Sequence, residues 1–322
     1  MRAGARYLVL PVVILLILSG CSLFSTKPDE KPIPEQQKLR VGVGNPIDTA
    51  PLRLAVARGR FERAGLTVEL VEQANQDEGM AQLRAGELDV AFATDVAWFE
   101  AASEGTELRL QGEAYTAGRG TMALMTLPGS IYQEPMDLLS PRIAVDAPAG
   151  LGTLTTRSTL GAAGAEVDRI RFTRTAPSEM AEALRRDEVH AAWMVEPYLT
   201  EAQKDLGATV LADTARGATT DFPMSAYAAT TEFARTNPRT LALFRRVLGE
   251  AQQHANDPTV VRAALPELTE IDETTASLVS LGDYPVSLNG VRLQRVADLM
   301  HSSGMLPGRL DVQPLLPERG LG

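Results

Sequence analysis

The sequence is poor in the residues that build metal centres and disulfides. It has one cysteine and three histidines in 322 residues. A zinc site made from Cys/His pairs is excluded, and so is a disulfide framework. Positive charge is scarce beside negative: 31 Lys plus Arg stand against 41 Asp plus Glu, a formal net charge of −10. A nucleic-acid protein needs a basic face to meet phosphates, so that class is excluded too. Only one long apolar run exists, which rules out a polytopic membrane protein. There is no Ser/His/Asp ordering, no glycine-rich phosphate loop of the Walker type and no metal-ligand cluster. No catalytic residue, metal ligand or cofactor is therefore assigned. What the chain does have is a hydrophobic fraction of 44%, ordinary for a globular protein, and a length that suits one large or two medium domains.

The apolar run lies at the N-terminus. Arg2 and Arg6 make a basic start, residues 8–18 are aliphatic except for Pro11, and Leu18-Ser19-Gly20-Cys21 follows. The run is too short to span a bilayer comfortably and is closed by small residues, as in a secretory signal. Leu-Ser-Gly-Cys resembles the lipobox of bacterial lipoproteins. That resemblance implies cleavage of residues 1–20 and lipid on Cys21, with the protein held on the extracytoplasmic face of a membrane. A signal anchor followed by a buried cysteine is the alternative. Pro28, Pro32 and Pro34, with charges and glutamines, then fill residues 21–38. Such a segment buries little apolar surface and is expected to be a flexible tether.

From residue 39 onward short apolar strands alternate with amphipathic helices. Strands are expected at 39–43, 66–71, 88–93, 143–145, 170–173, 189–194, 210–211 and 226–230. Helices are expected from Pro51, up to Ala85-Gly86, after Thr94-Asp95, at 151–163, at 178–186 with Ser178 as cap, and after Glu196-Pro197. The last part reads as mostly helical, roughly 237–255, 258–264, 272–281 and 289–303. Repeated βα units imply an α/β protein with parallel-rich sheets. An internal echo suggests two similar halves: 83–92 (LRAGELDVAF) aligns with 184–193 (LRRDEVHAAW). Each reads as a helix end, a turn and a buried strand.

Several of these features together resemble the nitrate/sulfonate/taurine solute-binding family, which also holds binding proteins for thiamine pyrimidine precursors. They are a first strand ending in Gly44-Asn45-Pro46, the turn Gly86-Glu87-Leu88-Asp89-Val90-Ala91, the segment Trp193-Met194-Val195-Glu196-Pro197-Tyr198, Phe222-Pro223 before a strand, and Asn237-Pro238 opening a helix. The resemblance runs over about 39–316. It implies a two-lobed α/β fold of the periplasmic-binding-protein type II, with ligand in a cleft between lobes joined by two crossovers. By analogy lobe one is 39–127 plus 231–322 and lobe two is 128–230, with crossovers near 126–130 and 228–232. It also implies a monomer that delivers a small molecule to an ABC permease and its ATPase. Two departures stand out: Asp187 occupies the second turn where glycine is usual, and His190 the place where aspartate is usual. The loop before Leu151 also lacks the usual Ser/Thr.

In open α/β sheets ligands sit beyond the carboxyl ends of strands. The strand ends here supply Asn45 and Asp48, Thr94 and Asp95, Tyr115, Asp146 to Gly152, and Glu196 with Tyr198. Asn45 suits an amide, hydroxyl or ring nitrogen, or simply forms a turn. Asp48 and Asp95 are ligand contacts or helix caps. Glu196 either accepts from a ligand amine or sits at the positive end of a helix. Trp193 and Tyr198 stack on a planar ligand or belong to the core. Gly150 and Thr153 open a helix whose N–H groups suit an anion. Arg119, between glycines, reads as an exposed turn. This inventory is acidic and aromatic with few fixed cations, and leans towards a pyrimidine-like or amino compound over a sulfonate, taurine or nitrate. Two other functions fit less well. An enzyme of the pyrimidine-synthase type needs iron ligands, and His190, His254 and His301 are dispersed. A ligand-presenting sensor lipoprotein has the same residues as a transport receptor.

Overall fold

The computed structural model describes residues 33–318. The leader, Cys21 and the tether through Pro32 fall outside them, so the lipidation expected at Cys21 does too. In chain order the elements are β1 (Lys38–Val43), α1 (Ala50–Ala57), α2 (Arg60–Arg63), β2 (Thr67–Glu72), α3 (Gln76–Ala85), β3 (Ala91–Thr94), α4 (Asp95–Ser103), β4 (Leu108–Thr116) and β5 (Met122–Thr126). They continue with β6 (Arg142–Val145), α5 (Leu151–Ala162), β7 (Arg171–Arg174), α6 (Met180–Arg185), β8 (Ala191–Val195), α7 (Tyr198–Leu206), β9 (Thr209–Asp213) and β10 (Pro223–Thr230). The helices α8 (Thr231–Thr236), α9 (Pro238–Ala255), α10 (Pro258–Leu268), α11 (Glu273–Leu278) and α12 (Gly290–Ser302) complete the described residues. Among these residues no helix is long and apolar enough to cross a membrane.

The strands fall into two groups. β1 pairs in parallel with β2 and touches β3 through a parallel bridge from Val41 to Val90. β10 lies antiparallel between β3 and β4. The second group is one five-stranded sheet in the order β7-β6-β8-β5-β9, with β6 parallel to β7 and β8 and β5 antiparallel to β8 and β9. The sheets are therefore mixed, less uniformly parallel than alternating βα units imply. The antiparallel pairings are all made by β5 and β10, the two strands by which the chain passes from one group into the other.

The same pairing moves the crossovers. The chain leaves the first group between Thr116 and Met122 and returns between Asp213 and Pro223. The limits expected at 127/128 and 230/231 thus put β5 and β10 on the wrong sides. Met122 to Thr126 are all buried, and a fully buried run gives no local sign of which sheet it joins. Ser178 does not cap a regular helix either: a short 3-10 turn over Pro177–Glu179 precedes α6, with no side-chain cap.

Helices cover both groups. Leu52 of α1 and Phe244 of α9 pack with Leu39, Val41, Val43 and Tyr227 behind β1. Met180, Leu184 and Leu199 of α6 and α7 pack on Met125, Ala144 and Met194 of the five-stranded sheet. The largest apolar cluster links the two groups and holds Trp98, Tyr115, Leu124, Leu154, Trp193 and Tyr284.

The end of the expected tether is built into this body. The Glu35 carboxylate accepts from the backbone N–H groups of Arg239 (3.2 Å) and Thr240 (2.8 Å) and from the Arg239 guanidinium (2.9 Å). It caps the first turn of α9, where unpaired N–H groups and the helix dipole favour an anion. Partial burial pushes its pKa up, but these bonds outweigh it and bring the pKa down to about 2.

Candidate ligand cleft

The carboxyl ends of all five parallel-paired strands, β1, β2, β6, β7 and β8, open into one cleft of about 1080 Å³. Its lining comes from both groups. Gly44, Asn45, Pro46 and Asp48 follow β1, Gln73 to Gln76 follow β2, and Phe92 and Thr94 belong to β3. Opposite them lie Asp146 after β6, Arg174 and Ser178 around the end of β7, and Trp193, Met194, Val195, Pro197 and Tyr198 at the end of β8.

Of the residues singled out by the sequence, Asn45, Asp48, Thr94, Trp193 and Tyr198 line this cleft, as do Asp146, Ala147 and Leu151 of the 146–152 strand end. Asn45 is both a turn former and a strap. Its Oδ1 accepts from the N–H of Ile47 at 2.8 Å, and its Nδ2 donates across the cleft to the Glu196 carbonyl at 2.9 Å. Asp48 is only 7% exposed. It does not cap α1, whose N-cap position is Thr49 without a side-chain bond. Its carboxylate accepts the Ser225 hydroxyl at 2.6 Å. Burial drives its pKa up to about 7, against the pull of that hydroxyl. Thr94 takes the capping role that Asp95 was a candidate for: its Oγ1 accepts from Ala97 N–H at 3.2 Å and donates to Gln76 Oε1 at 3.0 Å. Trp193 is core and wall at once. It is 4% exposed, donates its indole N–H to Thr214 Oγ1 at 3.0 Å and still lines the cleft.

Asp95, Tyr115, Gly150, Thr153 and Glu196 do not line it. Asp95 is fully buried, and neither of its carboxylate oxygens has a hydrogen-bond partner. Burial first, then the nearby Glu113, hold its pKa far above the carboxylate range, with Arg292 opposing. The Tyr115 hydroxyl accepts the Gly282 N–H, and its ring leans on Tyr284 at 5.2 Å. Gly150 is the N-cap of α5 and Thr153 reaches back to the Ala147 carbonyl at 3.4 Å. The cleft sees Leu151 of that turn instead, and the indole of Trp193 lies against Gly152. Glu196 is spent on structure. It accepts from the Thr200 hydroxyl (2.9 Å) and N–H (3.1 Å) and from Ser280 N–H (2.8 Å), which ties the start of α7 to the segment after α11. Burial nevertheless raises its pKa to about 7.

Sequence reasoning missed Gln73, Gln76, Phe92, Arg53 and Arg174. Gln73 to Gln76 and Arg174 follow strands directly, so the strand-end rule applied to β2 and β7 finds them. Arg53 comes from α1. It is clamped by Glu72 at 2.5 and 2.8 Å and by Thr49 at 2.9 Å. Arg174 pairs with Asp77 of α3 at 2.5 Å, so an ion pair joins the two strand groups beside the cleft. Both cations lining the cleft are thus already paired with carboxylates. Among the described residues no group of His, Cys, Asp and Glu is placed to hold a metal ion.

The chain has the periplasmic-binding-protein fold, as its likeness to solved structures shows. The aliphatic sulphonate binding protein SsuA of Escherichia coli matches at 19% identity and a TM-score of 0.70, over 88% of this chain and 98% of its own. The alkanesulfonate-binding protein SsuA of Xanthomonas axonopodis pv. citri, bound to MOPS, matches at 18% and 0.72, over 88% and 98%. The nitrate-binding protein NrtA of Synechocystis matches at 15% and 0.70, over 87% and 85%. At these identities the likeness establishes the fold. The chain belongs to the NMT1-like family, whose profile matches residues 33–268. No curated protein matches it.

Proposed function

We propose that this protein is the extracytoplasmic solute receptor of an ABC importer, tethered through lipid on Cys21, monomeric and without catalytic activity. It takes a small molecule into the cleft, its two halves close on it, and it hands the cargo to a permease driven by an ATPase. The halves are taken as 34–116 with 223–318, and 122–213. One observation carries this reading above the rest: polar side chains from both strand groups line a single cleft, and the chain passes between the groups twice. Such a design binds by hinge closure. Membership of the NMT1-like family and the names of the sulfonate- and nitrate-binding structures support it.

The test is a thermal-shift screen of the purified protein with taurine, alkanesulfonates, nitrate, pyrimidine precursors and amino compounds. A ligand that binds only the folded state raises the midpoint by mass action. A saturable shift with one class, lost on substitution of a cleft residue, is expected. Turnover of a bound compound would overturn the receptor reading in favour of an enzyme.

A further inference from the structure

We propose that the occupant of the cleft is a small organic cation, held by the carboxylates of Asp48 and Asp146 beside the indole of Trp193. This rests on the receptor reading above and names its substrate class. The charges lining the cleft do not balance. Arg53 is engaged by Glu72, and Arg174 by Asp77. Asp48 and Asp146 have no ion pair, and they line the cleft from opposite strand groups. Asp48 holds only a neutral hydroxyl, from Ser225. No side chain donates to Asp146: one of its oxygens is covered by protein without a well-formed hydrogen bond, and the other is left for a guest. A covered carboxylate oxygen without a good donor is costly unless something supplies one. An ammonium or amidinium group brings both the missing charge and the missing donors.

The rest of the lining fits such a guest. Trp193, Phe92 and Tyr198 offer ring faces, and Met180, Met194 and Met224 offer polarisable sulfur. Aromatic faces attract cations through their quadrupole, and thioethers adapt to irregular organic shapes. An anion finds the reverse, with both cations already satisfied.

Burial raises the pKa of Asp146, and raises that of Asp48 to about 7, so part of Asp48 is protonated near neutral pH in the empty cleft. Tyr115, Tyr227, Tyr284 and Asp95 feel the field of Asp48, while Arg174 and Asp77 act on Asp146. A cation ionises the Asp48 carboxyl and releases its proton. An anion binds best when Asp48 is protonated, and takes a proton up.

The experiment is isothermal calorimetry of the full chain in detergent, in two buffers of different ionisation enthalpy at pH 7. The probes are choline, agmatine, putrescine and benzylamine against ethanesulfonate, taurine and nitrate. The expected result is saturable binding of at least one cation with net proton release. Asp146→Asn is expected to weaken it tenfold or more, and Asp48→Asn, which keeps an acceptor for Ser225, to weaken it and abolish most of the proton release. Binding of ethanesulfonate or nitrate with proton uptake, undiminished in Asp146→Asn, overturns the cation class and leaves the receptor reading standing. Binding of no probe of either sign, by a protein that melts cooperatively, overturns both.

Discussion

Gly152 sets the position of Trp193 by having no side chain. A Cβ on Gly152 would lie 2.7 Å from the indole ring, closer than carbon atoms pack. Gly152→Ala is expected to push the indole towards the cleft and destabilise the fold by about 1–3 kcal/mol, the usual cost of overpacking. The chain has two tryptophans, and the other, Trp98, is buried with its N–H on the Ala226 carbonyl at 3.0 Å. In a Trp98→Phe background the emission therefore comes from Trp193 alone. Ligand should change that emission with Gly152 present, and the added Gly152→Ala should shift the ligand-free spectrum and weaken the response. The strand-end rule picked Trp193, Asn45 and Asp48 from sequence because it asks only where strands stop. It could not separate these from Glu196. A carboxylate at a strand end looks the same whether it meets solvent, ligand or protein. What occupies Glu196 is Ser280, 84 residues away, and no local pattern encodes that contact.

At the scale of elements, the echo between 83–92 and 184–193 extends further than the aligned letters. Gly86 closes α3 at φ 71°, and Asp187, in the place of a glycine, holds φ 56° after α6. In the first copy the Arg40 N–H donates to Asp89 at 2.7 Å, and its guanidinium reaches the Gly86 carbonyl at 2.8 Å. In the second, the Arg142 N–H donates to His190 Nδ1 at 3.0 Å, and its guanidinium reaches the Asp187 carbonyl at 3.0 Å. The substitution of histidine for aspartate is thus a change of acceptor within one conserved geometry. The His190 pKa is lowered, first by partial burial and then by the Arg142 charge, with Asp187 opposing. The fold needs the neutral ring. This contribution is intact above the unfolded histidine pKa of about 6.5 and is lost as pH falls through the lower folded value. His190→Asp should therefore flatten the fall of the thermal midpoint between pH 7 and 5, measured beside the parent. The cap on α9 makes a second element-scale case. Glu35→Gln removes the charge and is expected to cost about 1 kcal/mol at neutral pH. The parent should lose the same increment in acid as pH falls towards about 2, where Glu35 itself protonates. Most of the order of strands and helices was legible because each carries its own periodicity and turn residues; β4 and β5 were not among the expected strands, although Tyr115 was read as a strand end. The sheet membership of β5 and β10 was not, because pairing partners are chosen by the whole core.

For the whole molecule, several polar ties join the two halves, among them the Asp77–Arg174 ion pair at 2.5 Å, the bond from Asn45 to the Glu196 carbonyl at 2.9 Å and the Lys204–Asp272 pair at 2.8 Å. Both partners of the Asp77–Arg174 pair are more than half exposed, so its worth is about 0–1 kcal/mol. That is enough to shift an open–closed balance by up to about fivefold. Asp77→Arg should speed ligand dissociation by a few-fold and enlarge the ligand-free radius of gyration in small-angle scattering. The exchanged pair Asp77→Arg with Arg174→Asp should restore both. An unchanged off-rate in both variants would show that the pair has no part in closure. The grip of Glu35 on α9 has a mechanical consequence as well. Traction arriving from the N-terminal side meets Arg239 and Thr240 before it meets Lys38, the first residue of β1. The load passes into an eighteen-residue helix packed along its length and spares the strand whose far end carries Asn45 and Asp48. If the chain is held through lipid on Cys21 as proposed, this junction would work as a strain relief, taking up a pull from the N-terminal side before it can distort the cleft.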